Sequence, residues 1–492
     1  MFESAELGHK IAKKTYEAEL PALREALLDA QYELVQKRSF QVVMIVSGVN
    51  GGGRRESVRL LNEWLDARYI DTHGLGEPSD EERDRPPMWR FWRNLPPKGR
   101  MAIFQGSWYS QAIIDRVYRH TKIADLEEAM ERNIRFEEML ADEGALILKF
   151  WFHLSKNNQK KRLRSLEKDP LTRWRVTERD WQHFKLYDRF YKTASHALRM
   201  TSTANAPWYI IEGTDERYRN LTLGKIVLEA LRKRLELTQP MVRPLANLPS
   251  LPRVDQQNLL RALDLTLALP KKTYKKKLEE YQGRLALLTR EPAFQNLSVV
   301  AVFEGNDAAG KGGAIRRVIS ALDARMYQII PTAAPTDEER AHPYLWRFWR
   351  RLPRRGQLAI FDRSWYGRVL VERVEGYCSE YDWMRAYNEI NDFEAQLVEH
   401  RIVLVKFWLS ISKDEQLRRF KAREQTGFKH YKITEEDWRN REKWDLYEQA
   451  VCDMVDRTST EIAPWTLVEA EDKNYARIKV LRTLCERIEA AL

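Results

Sequence analysis

Residues 297–315 read LSVVAVFEGNDAAGKGGAI, and this stretch decides the fold. The run LSVVAVF is short, apolar and rich in β-branched side chains, which predicts a buried strand over 297–303. Gly305, Asn306 and Asp307 then break the strand, Gly310 and Lys311 complete a GxxxxGK spacing, and a helical pattern follows from Ala314. A glycine-rich turn between strand and helix points backbone N–H groups at an anion, with the positive end of the helix dipole behind them. Gly305, Gly310, Lys311, Gly312 and Gly313 are therefore the candidate phosphate loop, in which Lys311 bridges anionic oxygens. Gly312 stands where such loops usually carry the Ser or Thr whose hydroxyl holds Mg²⁺. Another oxygen ligand is then needed, and Asp307, inside the loop, is the candidate.

Working outward, apolar runs recur at 327–330 (YQII), 357–361 (QLAIF), 402–409 (IVLVKFWL) and 465–470 (WTLVEA), separated by longer, charged amphipathic segments. Continuous apolar strands alternating with helix-length spacers predict a parallel sheet covered by helices on both faces. Asp362 follows QLAIF directly, at the carboxyl end of its strand, where open α/β sheets bind ligands. It is a candidate to hold Mg²⁺ or to orient the attacking oxygen, and Arg363 and Arg368 to offset charge on a transferring phosphoryl group. A basic segment follows the fourth run: Arg418, Arg419, Lys421, Arg423, Lys429 and Lys432. Arg419 and Arg423 share a helical face, and this position suits a lid that closes over phosphates. The tryptophans of WRFWR, Trp346 and Trp349, read as core packing.

The whole pattern occurs twice, at a constant offset of 257 residues (305 minus 48). LDAR at Leu65 returns at Leu322, DEER at Asp80 returns at Asp337, and WRFWR at Trp89 returns at Trp346. AIFxxSWY at Ala102 returns at Ala359, KFW at Lys149 returns at Lys406, and APW at Ala206 returns at Ala463. A repeat of this length is a domain duplication rather than a solenoid. Pro240, Pro244, Pro249 and Pro252 suit an extended connector between the copies. The expected layout is one domain over 1–239, a Pro-rich linker over 240–256 and a second domain over 257–492.

The 492 residues carry a formal charge of +11, which favours a polyanionic partner: nucleic acid, a phosphate polymer or an anionic membrane. The apolar runs are far too short to span a membrane. Cys378, Cys452 and Cys485 form no CxxC pair and the nine histidines no ligand-like cluster, so neither a disulfide framework nor a zinc site is expected. The first thirty residues read as a charged helix rather than a signal peptide. A reducing, cytoplasmic location is the expectation.

GNDAAGKGGAI, YLWRFWRRLPRRGQLAIFDRSWYGRVLVER and KFWLSISKDEQLRRF together resemble the polyphosphate kinase 2 family, and the duplication resembles its class II members, which are polyphosphate:AMP phosphotransferases. The resemblance covers nearly all of the second copy and, more weakly, the first. It implies two tandem α/β, three-layer domains similar to P-loop kinases such as thymidylate kinase, with helical lids. It further implies transfer of the terminal phosphoryl of inorganic polyphosphate to AMP to give ADP, with Mg²⁺ as cofactor. Carried onto this sequence, the family's functional residues fall on Asp307, Lys311, Asp362, Arg363 and Arg368, with Asp307 and Asp362 at the metal and the basic lid, Arg418 to Lys432, on the phosphate chain. Open alternatives are a nucleoside diphosphate acceptor, ATP as donor and, outside enzymes, a basic nucleic-acid-binding protein. A homo-oligomer is compatible with all of these.

At the first copy's equivalent positions stand Asn50 for Asp307, Arg54 for Lys311, Gln105 for Asp362, Gly106 for Arg363 and Gln111 for Arg368. Neutral amides bind Mg²⁺ poorly, and Arg is a planar fork where Lys is a compact ammonium. The first copy is therefore expected to fold without catalysing, and to support the second or extend a polyphosphate track through Lys160, Lys161, Arg162 and Arg164.

Overall fold

Each apolar run becomes a strand. In the computed structural model, which describes residues 1–237, 258–425 and 435–492, the first half contributes β1 (Val42–Gly48), β2 (Ile70–Gly74), β3 (Met101–Gln105), β4 (Leu146–His153) and β5 (Trp208–Glu212). The second half contributes β6 (Ser298–Gly305), β7 (Tyr327–Pro331), β8 (Leu358–Asp362), β9 (Ile402–Ser410) and β10 (Trp465–Glu469). The linker 240–256, Lys429 and Lys432 lie outside the described residues.

Both sheets are parallel throughout, with order β2-β3-β1-β4-β5 in the first and the corresponding β7-β8-β6-β9-β10 in the second. The central strands are buried along nearly their whole length, as strands covered on both faces must be. In the second unit one face of the sheet packs on the helices Lys271–Leu288, Lys311–Ile319 and Lys473–Glu489, through Leu285, Ile315, Val318, Val480 and Leu484. Each unit is thus a three-layer α/β sandwich. Pro335–Trp346 groups with the first unit and Ser79–Trp89 with the second.

The amino terminus is not the continuous helix expected from its sequence. The first long helix runs Lys13–Lys37, so Leu7 and Ile11 precede it, and Leu7 is exposed. The preceding chain is tied down differently: the Gly8 and His9 amides both donate to Glu212 Oε2, and Gly8 adopts φ +81°, which a continuing helix does not permit.

The motifs that recur in both copies build one buried knot per unit. Lys406, fully buried in β9, donates through Nζ to Glu394 Oε2 (2.7 Å), Tyr366 Oη (2.9 Å) and the Thr458 carbonyl (2.8 Å). Trp365 Nε1 and Tyr366 Oη both donate to Glu394 Oε1, and Trp465 Nε1 donates to the Thr458 hydroxyl. Lys149, Glu137, Tyr109, Thr201 and Trp208 repeat the arrangement in the first unit. KFW, SWY and APW are thus joined in space, and because the unit whose loop has changed keeps them, they serve the fold. Trp346 and Trp349 are buried, as core packing requires.

Candidate active site

The phosphate loop forms where β6 ends and the helix Lys311–Ile319 begins. Gly305 has φ +148°, and a Cβ there would come within 2.4 Å of the Leu409 carbonyl oxygen, so glycine is required for the loop to cross β9. Gly310, with φ +112°, occupies the N-cap position. Lys311 Nζ donates to the Gly305 carbonyl at 2.6 Å, inside the loop.

Register brings the acid segment to the same place. β6 and β8 are neighbours, with Phe303 opposite Asp362, and the Arg363 amide donates to the Phe303 carbonyl. Arg363 Nη2 consequently reaches Asp307 Oδ1 at 3.0 Å. Burial works against the Arg363 charge, but Asp307, Glu304, Glu436 and Asp362 outweigh it and raise its pKa. Arg363 adopts φ +63° and Ala308 φ +66°, a left-handed conformation costly for side chains and characteristic of functional turns. At the Arg363 position the first unit carries Gly106, with φ +90°.

Around this pair lies an open cleft of about 650 Å³, lined by Glu304, Asp307, Arg363, Gln416, Asn440 and Tyr447 among others. Four of these were not singled out from the sequence. Glu304, the residue before Gly305, is buried and accepts from Ser364 Oγ at 2.9 Å; burial pushes its carboxyl up, opposed by the nearby Lys311. Asn440 Nδ2 donates to Asp307 Oδ2 (2.9 Å), Tyr447 Oη donates to Asn440 Oδ1 (3.0 Å), and Gln416 Nε2 donates to the Asp307 carbonyl (3.2 Å). Comparing the two copies would have flagged Glu304 and Asn440, because the first copy has Ser47 and His183 there.

Lys311 and Asp362 adjoin the cleft without lining it, and two further sequence candidates, Arg419 and Arg368, do not line it either. Arg419 is 4% exposed, with Nη1 donating to the Ala308 and Ala309 carbonyls, Nη2 to those of Ala470 and Glu471, and Nε to Glu415. It clamps the phosphate loop's backbone from behind and is not an exposed lid cation; its spacing with Arg423 did not reveal that the two face different surroundings. Arg368 is ion-paired with Glu372 at 2.9 Å and does not line the cleft. Arg418 is exposed and paired with Glu415, and Arg423 is half-buried.

The donor set fits Mg²⁺ without a complete protein cage. No group of three or more His, Cys, Asp or Glu side chains converges as a metal site among the described residues. Mg²⁺ keeps several waters and is held through one or two carboxylates together with substrate phosphates, and Asp307 is a carboxylate that lines the cleft.

The polyphosphate kinase 2 family model matches residues 10–238 and 268–492. The chain belongs to the polyphosphate kinase 2 family. It is 59% identical over 491 residues to the polyphosphate:AMP phosphotransferase of Pseudomonas aeruginosa, covering 100% of this chain and 99% of that one. Its identity to the polyphosphate:AMP phosphotransferase of Acinetobacter johnsonii is 38%, over 94% of this chain and 95% of the other. A crystal structure described as a polyphosphate kinase 2 from Pseudomonas aeruginosa matches with a TM-score of 0.91 at 57% identity, covering 100% of this chain and 99% of that one. The family match falls on both halves, so the internal duplication is a duplication of the family domain.

Proposed function

We propose that the protein transfers the terminal phosphoryl group of inorganic polyphosphate to AMP, giving ADP, and that the second copy, within 257–492, performs the reaction. The single observation carrying this reading is the convergence of the phosphate loop, Asp307 and Arg363 in one cleft at the carboxyl ends of β6 and β8. The names of the full-length relatives support the substrates.

The AMP phosphate is already anionic near neutral pH, so an oxygen of that group attacks the terminal phosphorus with no proton to remove. The bridging P–O bond breaks, and the polyphosphate leaves one unit shorter with the bonding electrons on its new terminal oxygen. The obstacle is repulsion between two anions. Lys311, Arg363 and the loop amides offset charge as the phosphoryl group passes between them. Asp307 and Asp362 would hold Mg²⁺, which screens phosphate charge when bound. Asn440 and Arg363 hold the Asp307 carboxylate from either side, fixing its orientation.

Arg418, Lys421 and Arg423, with Lys429 and Lys432, would draw the polyphosphate chain toward the cleft. Arg368 acts at one remove, by holding Glu372. The first copy, within 1–239, is proposed to be inactive, since no acid lines its cleft. No disulfide joins the cysteines among the described residues, and a reducing cytoplasmic compartment is proposed; among the described residues no helix is long and apolar enough to cross a membrane.

The test is a panel of nucleoside mono- and diphosphates incubated with Mg²⁺ and either polyphosphate or ATP, with products resolved by chromatography. ADP formed from AMP and polyphosphate is expected. Formation of ADP only when ATP is the donor would replace this reading with an ordinary nucleotide kinase.

A further inference from the structure

The first unit carries a cleft of its own, about 820 Å³ in volume, at the carboxyl ends of β1 and β4. The acids that line the second cleft are absent from it. Glu304 becomes Ser47, Asp307 becomes Asn50 and Glu436 becomes Arg179. No carboxylate lines it. Arg54, the first residue of the helix Arg54–Trp64, lies in its wall with Nη2 donating to Asn50 Oδ1 at 2.8 Å, and no carboxylate ion-pairs with it among the described residues. Burial and the neighbouring Arg55 work against its charge, and Asp180 and Glu56, neither of which forms an ion pair with it, only partly offset them.

A second guanidinium stands behind the loop. Arg219, where the second copy has Ala476, is 2% exposed; its Nε has no acceptor and its nearest carboxylate, Glu216, is 3.9 Å away. It presses on the loop itself, since a Cβ on Gly53 would meet its Nη1 at 2.3 Å. Leaving buried arginines so incompletely paired costs stability unless an anion completes them. An arginine fork at a helix N-terminus is suited to bidentate capture of phosphate.

The other walls are aromatic: Tyr109, Trp151, Tyr187, Phe190 and Trp208. Three polar atoms of the lining have no partner, His183 Nε2 being one of them. Trp151, 7% exposed, has an Nε1–H with no acceptor, and Gln159, 3% exposed, has an Oε1 with no donor. Trp408 in the second cleft has the same unused donor, so this feature marks what the clefts share, whereas the missing acids mark what differs. A polyphosphate chain, charged at every phosphate, would find nothing on these aromatic walls to balance it. A flat heteroaromatic base would find stacking surfaces, a donor and an acceptor.

We propose that the first unit's cleft binds a nucleoside monophosphate without a metal ion, its phosphate on Arg54 and the loop Gly48–Gly53, its base among the aromatic side chains. The inference rests on the first unit alone, so failure of the phosphotransferase reading would leave it standing, and the reverse.

The test uses the full chain in EDTA, photolabelled with 8-azido-AMP, with the labelled peptides mapped. Labelling is expected within residues 151–190, and Arg54→Ala is expected to weaken it roughly tenfold or more, the loss of a charged hydrogen bond. Should Arg54→Ala unfold, Asn50→Asp serves instead: it is nearly isosteric, pairs with Arg54 and should weaken the label to a similar extent. Unlabelled AMP should displace the probe at lower concentration than orthophosphate or short-chain polyphosphate. Absence of first-unit label, label unchanged in the folded variants, or displacement by polyphosphate as effective as by AMP would each overturn the proposal.

Discussion

Replacing Arg363 with glycine, the residue of the first copy, should separate activity from stability. Arg363 holds φ at +63°, which costs an L side chain about 1–2 kcal/mol and glycine little. Glycine removes that strain but adds about 0.5–1 kcal/mol of backbone entropy to the cost of folding. The ion pair with Asp307 is also lost; with the Arg363 side chain 42% exposed, solvent screening limits that pair to about 0.5 kcal/mol. These terms nearly cancel, so Arg363→Gly should shift Tm by no more than about 4 °C in either direction. The chemical effect does not cancel. Arg363 is the cation that lies against Asp307 in the cleft, and removing one group that offsets developing charge typically costs 10²–10³-fold, more for an arginine aimed at a phosphoryl group. The rate of ADP formation from AMP, polyphosphate and Mg²⁺ should fall roughly 10²- to 10⁴-fold while calorimetry shows a near-normal melt. A rate within about threefold of wild type would refute the role given to Arg363, and a large fall in Tm would refute the strain argument.

Glu304→Ser, which copies Ser47 of the first unit, should lower the transfer rate by roughly tenfold or more, because the Ser364 hydroxyl bond and a cleft carboxylate are lost together; steady-state kinetics would detect this. Lys406→Met leaves Glu394 charged and buried, which typically costs about 3–5 kcal/mol, so the melting transition should drop markedly, whereas the double variant Lys406→Met/Glu394→Leu should recover much of the loss. Burial holds the His153 imidazole below its ordinary pKa of 6.5 despite its bond to Glu6. The unfolded chain therefore binds more protons at this residue, and stability is lost as pH falls below about 6.5. Relative to His153→Ser, wild type should lose Tm between pH 7.5 and 5.5; parallel curves would show that His153 contributes no such term.

Most of the fold was legible because its signals are local. LSVVAVF and, but for Lys406, IVLVKFWL are apolar, as strands covered on both faces must be, and GxxxxGK marks the turn from strand to helix. The offset of 257 residues carried the same reading into the first copy. What the sequence concealed depends on contacts between distant segments. Lys406 looked like one more charged residue, and only the juxtaposition with Glu394 and Tyr366 explains a lysine inside a central strand. Arg419 looked like a lid cation because helical spacing does not say which face is buried. Asn440 gave no motif, since its partner Asp307 lies 133 positions away. Glu304 and Asn440 could still have been found by comparing the copies, which carry Ser47 and His183 at those positions.

Residues 305–313, with Asp362 beside them, are proposed to bring two mutually repelling phosphates together in the second copy alone. The decisive measurement is the rate of ADP production from AMP and polyphosphate, at saturating Mg²⁺, for full-length Lys311→Ala and Asp362→Asn. Both rates should fall roughly 10²-fold or more while both proteins melt normally, with no residual activity from the first copy. Either folded variant retaining most of the wild-type rate would place the reaction elsewhere in the protein.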